Sequence, residues 1–227
     1  EPILQCPSGT QNCWKDLEIV DPADINDAQK SWLTNYLVEF SNALHSPSFS
    51  GYTDYIDSQS MADQIILNEL GREFDAYLRS AYFYKDRNDV IKAGPLWDYD
   101  LTFGTGYAAT WSNLSPEGFT YAANTRDNPS NDWFVRMLED SNFQTLLRNR
   151  WRELRQGVLS NNSLLARIDS LTASLSNAAD RNFQKWPILS NPKVEMFDAP
   201  TEPTWQAQVQ FMKNWLTERL TWLDSQW

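Results

Sequence analysis

Residues 80–104 read Ser80-Ala-Tyr-Phe-Tyr-Lys-Asp-Arg-Asn-Asp-Val-Ile-Lys-Ala-Gly-Pro-Leu-Trp-Asp-Tyr-Asp-Leu-Thr-Phe-Gly104. Tyr82, Phe83 and Tyr84 lie in a first extended arm, Ser80 to Lys85. Arg87-Asn88-Asp89 is turn chemistry, and Val90 to Ala93 returns, so the stretch predicts a β-hairpin. The hairpin runs straight into residues 94–104, where Asp98 and Asp100 stand between bulky apolar residues. An apolar flank on both sides predicts acids withdrawn from solvent. Buried charge is costly unless a cation or hydrogen-bond donors meet it. A divalent metal with phosphate is therefore the partner this segment asks for.

Upstream of the hairpin the chain is helical. A helix is predicted from Asp21-Pro22-Ala23-Asp24, with Trp32, Leu33, Tyr36, Leu37, Phe40 and Leu44 at helical spacing. Ser46-Pro47-Ser48 ends it. His45, the only histidine, falls at this exit and is given no chemistry. A second helix, about 58–72, carries Met61, Ile65, Ile66 and Leu70. Downstream, 105–131 is rich in Gly, Ser, Asn, Thr and Pro and reads as a long loop, the kind that is usually functional or mobile. One helix is then predicted from Trp133 through Leu154 to Gly157. Another follows Ser160 and stops before Pro187. Residues 188–203 read as loop, and Trp205 to Leu223 form a last amphipathic helix. The fold class is mainly α with a small β-hairpin. Two divisions follow: an irregular 1–20, with one extended piece at Leu17 to Val20, and a lobe at 21–227.

The bulk numbers agree with one sizeable core. The chain has 227 residues, 41% of them hydrophobic, with 11 Trp, 9 Tyr and 11 Phe, which argues against disorder. No apolar run is long enough to span a membrane. A net charge of −11 speaks against a sequence-independent nucleic-acid binder. Cys6 and Cys13 bracket a short loop with Pro7 and Gly9 and read as a local disulfide rather than a metal site. That implies an oxidising compartment outside the cytoplasm.

Asp75 lies between the second helix and the hairpin, 23 residues before Asp98. A hairpin folds back, so the two acids can meet at its open end. One could orient and deprotonate a hydroxyl while the other holds Mg2+ against phosphates. Spacing alone leaves a purely structural role open, and also glycoside hydrolysis, which needs two carboxylates as well. Among the tryptophans, Trp32, Trp151, Trp205 and Trp215 read as core. Trp111, in the long loop, is the candidate exposed stacking residue.

Several motifs together resemble the spore coat protein H (CotH) kinase family. They are Asn68-Glu69-Leu70, Asp75-Ala76-Tyr77, Ser80, Tyr84-Lys85-Asp86, the 94–104 segment, Trp151 to Gly157, Arg181 to Trp186 and Lys213 to Leu220. The likeness runs over about residues 17–224. It implies the C-terminal lobe of an atypical, secreted or cell-surface, protein-kinase-like fold that transfers phosphate from ATP to Ser or Thr of a protein substrate. By motif position Asp75 resembles the catalytic aspartate and Asp98 the metal-binding aspartate. Asp100 is the second acid of the Trp-Asp-x-Asp motif and a further metal candidate, and Trp97 is the cofactor-binding candidate. The implied cofactors are Mg2+ and ATP. Two departures accompany the likeness. Glu73 stands where relatives usually carry Asn, and an extra acid there is expected to alter metal binding or repel phosphate. The family's N-terminal portion is expected to lie outside this sequence, in a missing lobe or another chain. The alternatives are a non-catalytic secreted adhesion or scaffold module of kinase-like shape, and a carbohydrate-active or carbohydrate-binding protein.

Overall fold

The computed structural model describes the chain except residues 1, 11–13, 15–16, 74, 76, 78, 107–113, 122–131, 190–192 and 195–196. The described part is mainly helical, with three two-stranded antiparallel sheets. β1 (Ile3–Leu4) pairs with β2 (Leu17–Glu18). Leu4, Trp14 and Ile19 from this region join the same buried cluster as the helices. Cys6 is disulfide-bonded; Cys13 lies outside the described residues.

α1 spans Asp27–Leu44 and begins later than the sequence predicts. The reason is a capping box. The Asn26 side chain accepts from the Gln29 N–H, and Gln29 returns the bond to the Asn26 N–H, both at 3.0 Å. α2 spans Ser58–Gly71, and Asp57 caps it by accepting from the Ser60 N–H at 2.7 Å. The predicted hairpin is present but shorter, β3 (Phe83–Tyr84) against β4 (Lys92–Ala93), with Tyr84 opposite Lys92. Its return arm is pinned to the start of α2. Ile91 donates to the Tyr55 carbonyl, the Asp57 N–H donates to the Ile91 carbonyl, and the Ala93 N–H reaches the Ser60 hydroxyl.

The single helix predicted from Trp133 to Gly157 is two, α3 (Trp133–Glu139) and α4 (Ser141–Arg155). Asp140 divides them. One carboxylate oxygen caps α4 through the Asn142 N–H at 2.9 Å, and the other accepts from the Tyr52 hydroxyl at 2.8 Å. Hydrophobic spacing continues across the break because both helices face one core. α5 (Asn161–Lys185) is capped by Ser160, and α6 (Trp205–Gln226) by Thr204. Part of the region read as loop forms a small hairpin, β5 (Lys193–Val194) with β6 (Phe197–Asp198).

α2 is the central element, packing on α4 and α6, with α1 on α3 and α5 on α6. A train of aromatic contacts, edge-on but for the tilted Phe83–Phe134 pair, crosses the core from Phe40 through Trp133, Phe83, Phe134 and Tyr77 to Tyr121. It ties the hairpin to the segment that carries Asp75. Trp151 and Trp215 are buried as predicted, but Trp32 is 55% exposed. It stacks on Tyr36, with the Lys85 ammonium over both rings.

Gly104 shows how tightly the segment after the acids is held. Its φ is +88°, and a Cβ there would stand 2.9 Å from ring atoms of both Phe211 and Trp215. Gly104→Ala is expected to cost about 2–4 kcal/mol, from a left-handed alanine plus overpacking. The check is a lower urea midpoint at unchanged slope.

Candidate functional site

The two arms around the hairpin start from the end of α2. Arg72 stops the helix in the left-handed region, at φ 50°. Its N–H stays on the Glu69 carbonyl, and its side chain reaches the Ser115 carbonyl at 2.6 Å. Among the described residues of the two arms, five have positive φ without being glycine: Arg72, Tyr77, Ser80, Asp98 and Phe103. Each such conformation costs of order 1–3 kcal/mol, and such strain tends to gather at functional sites.

The arms meet where the hairpin predicts. The Ser80 hydroxyl donates to Asp98 Oδ2 at 3.1 Å. Asp75 lies within electrostatic reach of the second arm. Burial pushes its carboxyl up, Arg79 pulls it down, and Asp98 and Asp100 push it up again. The Asp75 peptide is held on both sides. Its N–H donates to Glu73 Oε1 at 3.0 Å, and its carbonyl accepts from the Arg79 N–H at 2.9 Å.

Asp98 and Asp100 are exposed, contrary to the reading of 94–104 as buried charge. Their apolar neighbours are exposed with them, Leu96 at 43% and Trp97 at 60%. The segment turns outward on its own hydrogen bonds. Thr102 Oγ1 donates to the Tyr99 carbonyl at 2.6 Å, and the Thr105 hydroxyl donates to the carbonyls of Thr102 and Asp100. Phe103 anchors the far end through its N–H to the Gly71 carbonyl. Trp97 stands edge-on to Tyr82 at 6.2 Å. Surface grooves lie along α1, at Lys30 and Thr34, and between α2 and α4, at Gln59 and Arg150; neither includes an acid of this site.

Among the described residues, no three His, Cys, Asp or Glu side chains stand together as a metal cluster. The exposed pair Asp98 and Asp100 offers hard oxygen donors. That suits Mg2+, which commonly takes one or two carboxylates and completes its shell with water and phosphate oxygens.

Glu73 is buried, 3% exposed, and its carboxylate is turned onto the Asp75 backbone. The sequence showed it as an extra acid beside the site, expected to alter metal binding or repel phosphate.

A second feature was quoted in the sequence motifs without a role. Glu69 and Arg219 form a fully buried ion pair at 3.1 Å. The Glu69 carboxylate also accepts from the N–H groups of Thr120 and Tyr121 and from the Tyr77 hydroxyl. Arg219 donates further to the carbonyls of Glu69, Pro116 and Gly118. Burial pushes the Glu69 carboxyl up against the pull of these donors. The pair locks α2, α6, residues 116–121 and Tyr77 into one unit, two residues from Asp75. A signal was available: Glu69 follows Ile65 by four residues and Arg219 follows Trp215 by four, so each charge lies on a buried helical stripe.

His45 joins two elements. Nδ1 lies 2.7 Å from the Ser41 carbonyl and Nε2 2.9 Å from Asp132, tying the end of α1 to the start of α3. Trp111 lies outside the described residues. Among the described residues no helix is long and apolar enough to cross a membrane.

Comparison with known proteins adds the family. The family described as CotH kinase protein matches residues 3–223. No curated protein and no solved structure matches the chain. With nearly its whole length inside one family match, the chain belongs to the CotH kinase protein family.

Proposed function

We propose that this chain carries the catalytic lobe of a CotH-type kinase, secreted or at the cell surface. Its reaction is Mg2+- and ATP-dependent phosphoryl transfer to Ser or Thr of a protein substrate. The observation that carries the reading is the meeting of the two arms: Ser80 bonded to Asp98, with Asp75 under the electrostatic influence of Asp98 and Asp100. Asp75 orients the acceptor hydroxyl and takes its proton as the oxygen bonds to the γ-phosphorus. A base with its carboxyl pushed above the ordinary range is better matched to that work. The bond from the γ-phosphorus to the β-phosphate oxygen breaks, and ADP leaves. Asp98 holds Mg2+, with Asp100 beside it. The metal supplies charge neutralisation on the phosphates when bound. Trp97 offers an exposed indole face for the adenine.

Calorimetry with Mg2+ and ATP tests the reading. Binding heat is expected from the intact chain and is lost in Asp98→Ala. The 60% exposure of Trp97 beside exposed Leu96 favours a second reading, a non-catalytic adhesion or scaffold module. That reading expects no nucleotide heat from either protein.

A further inference from the structure

We infer that Glu73 is a positioning residue for Asp75, fixing the catalytic carboxylate through the backbone rather than meeting metal or phosphate. This role rests on the kinase reading above for its catalytic consequence. An acid with no structural task is normally solvated, because burying its charge costs several kcal/mol unless donors meet it. Glu73 is 3% exposed, and Oε1 accepts the Asp75 N–H at 3.0 Å.

The surroundings explain why that bond is needed. Helix α2 ends at Arg72, and two left-handed residues, Arg72 and Tyr77, flank the Asp75 segment. None of the described residues between 72 and 80 belongs to a helix or strand. The Glu73 N–H returns to the Asn68 carbonyl at 3.0 Å, so Glu73 is itself fastened to the last turn of α2. Burial, and after it the Glu73 charge, raises the Tyr99 phenol on the arm that bears Asp98 and Asp100. Tyr99 in turn hydrogen-bonds Asn68 of α2. Glu73 thus links the last turn of α2 to the Asp75 backbone. With its N–H held by Glu73 and its carbonyl by Arg79, Asp75 has both backbone groups engaged, which sets where its side chain starts.

Small misplacement of a reacting group can cost about 10²-fold in rate. In the full chain, Glu73→Ala is expected to lower kcat about 10- to 100-fold with KM for ATP little changed. Glu73→Gln keeps an acceptor oxygen at the same reach and is expected to recover most of the loss. Glu73→Asp keeps the charge but shortens the reach, and is expected to lose kcat as alanine does; it serves if the alanine variant does not fold. Amide hydrogen exchange at Asp75 gives the second readout: faster in Glu73→Ala and Glu73→Asp, near wild type in Glu73→Gln. A fully active wild type with unchanged kcat in Glu73→Ala and Glu73→Asp overturns the role and leaves the kinase reading intact. A wild type inert towards Mg2+ and ATP removes the kinase reading instead. Asp75 exchange then decides the positioning alone, and equal rates in all four proteins overturn it.

Discussion

Asp75→Asn is expected to slow phosphoryl transfer by about 10²–10⁴, the usual contribution of a positioned general base. The amide has nearly the same shape, and the bonds that hold this peptide, to Glu73 and from Arg79, use backbone atoms and survive the change. What is lost is the ability to take a proton. The effect on stability has the opposite tendency. The Asp75 carboxyl is pushed up by burial, Asp98 and Asp100, so its charge is held at a cost, relieved in part by Arg79. Removing that charge leaves the urea midpoint equal to wild type or slightly higher. The direction of the shift also fixes the pH profile. The base works only when deprotonated, so the wild-type rate rises with pH through a value above the ordinary carboxylate range, and Asp75→Asn lacks that rise. Wild-type turnover in the variant, measured with Mg2+ and ATP on the same protein acceptor, would remove Asp75 from the role.

Arg219→Met is expected to produce the largest loss of stability, about 3–5 kcal/mol. The methionine fills much of the space but leaves the Glu69 charge uncompensated in a site with no solvent exposure. It also strips a donor from the carbonyls of Glu69, Pro116 and Gly118. For a domain of this size the melting temperature falls by roughly 6–20 °C. Adding Glu69→Gln to Arg219→Met removes the orphaned charge and returns part of the loss, because breaking a buried pair is costlier than replacing it. The double-mutant cycle measures the coupling. Additivity of the two changes would show that the pair is not a unit.

The helices were legible where their signals are local. The α2 stripe of Met61, Ile65, Ile66 and Leu70, the Ser160 cap of α5 and the stop before Pro187 all act within a turn or two of chain. The hairpin was legible too, because Arg87-Asn88-Asp89 separates two short extended arms. The same logic failed at Asp140. Its neighbours keep helical spacing, and the partner that stabilises the break, Tyr52, lies 88 residues away. It failed again at Asp98 and Asp100. Apolar neighbours predict burial only if something covers them, and Leu96 and Trp97 are themselves uncovered. The bond Glu73 makes was not legible either: the sequence showed only an extra acid beside the site, and the structure shows that a backbone N–H two residues on uses one of its oxygens.

The sequence by itself determined the family, the mainly helical class, most helix ends and the hairpin that can bring Asp75 and Asp98 to one end. The family shows in a series of separate motifs, while the class, the helix ends and the hairpin rest on periodicity, capping and turn chemistry, whose energies are decided within about four residues. Only the tertiary structure decided which charges are buried. Glu69 and Arg219, 150 residues apart, are both withdrawn from water and pay for it jointly, while the two acids that looked buried stand in solvent. Solvation depends on what the rest of the chain places over a side chain, and that is a sum over distant elements which no local pattern contains.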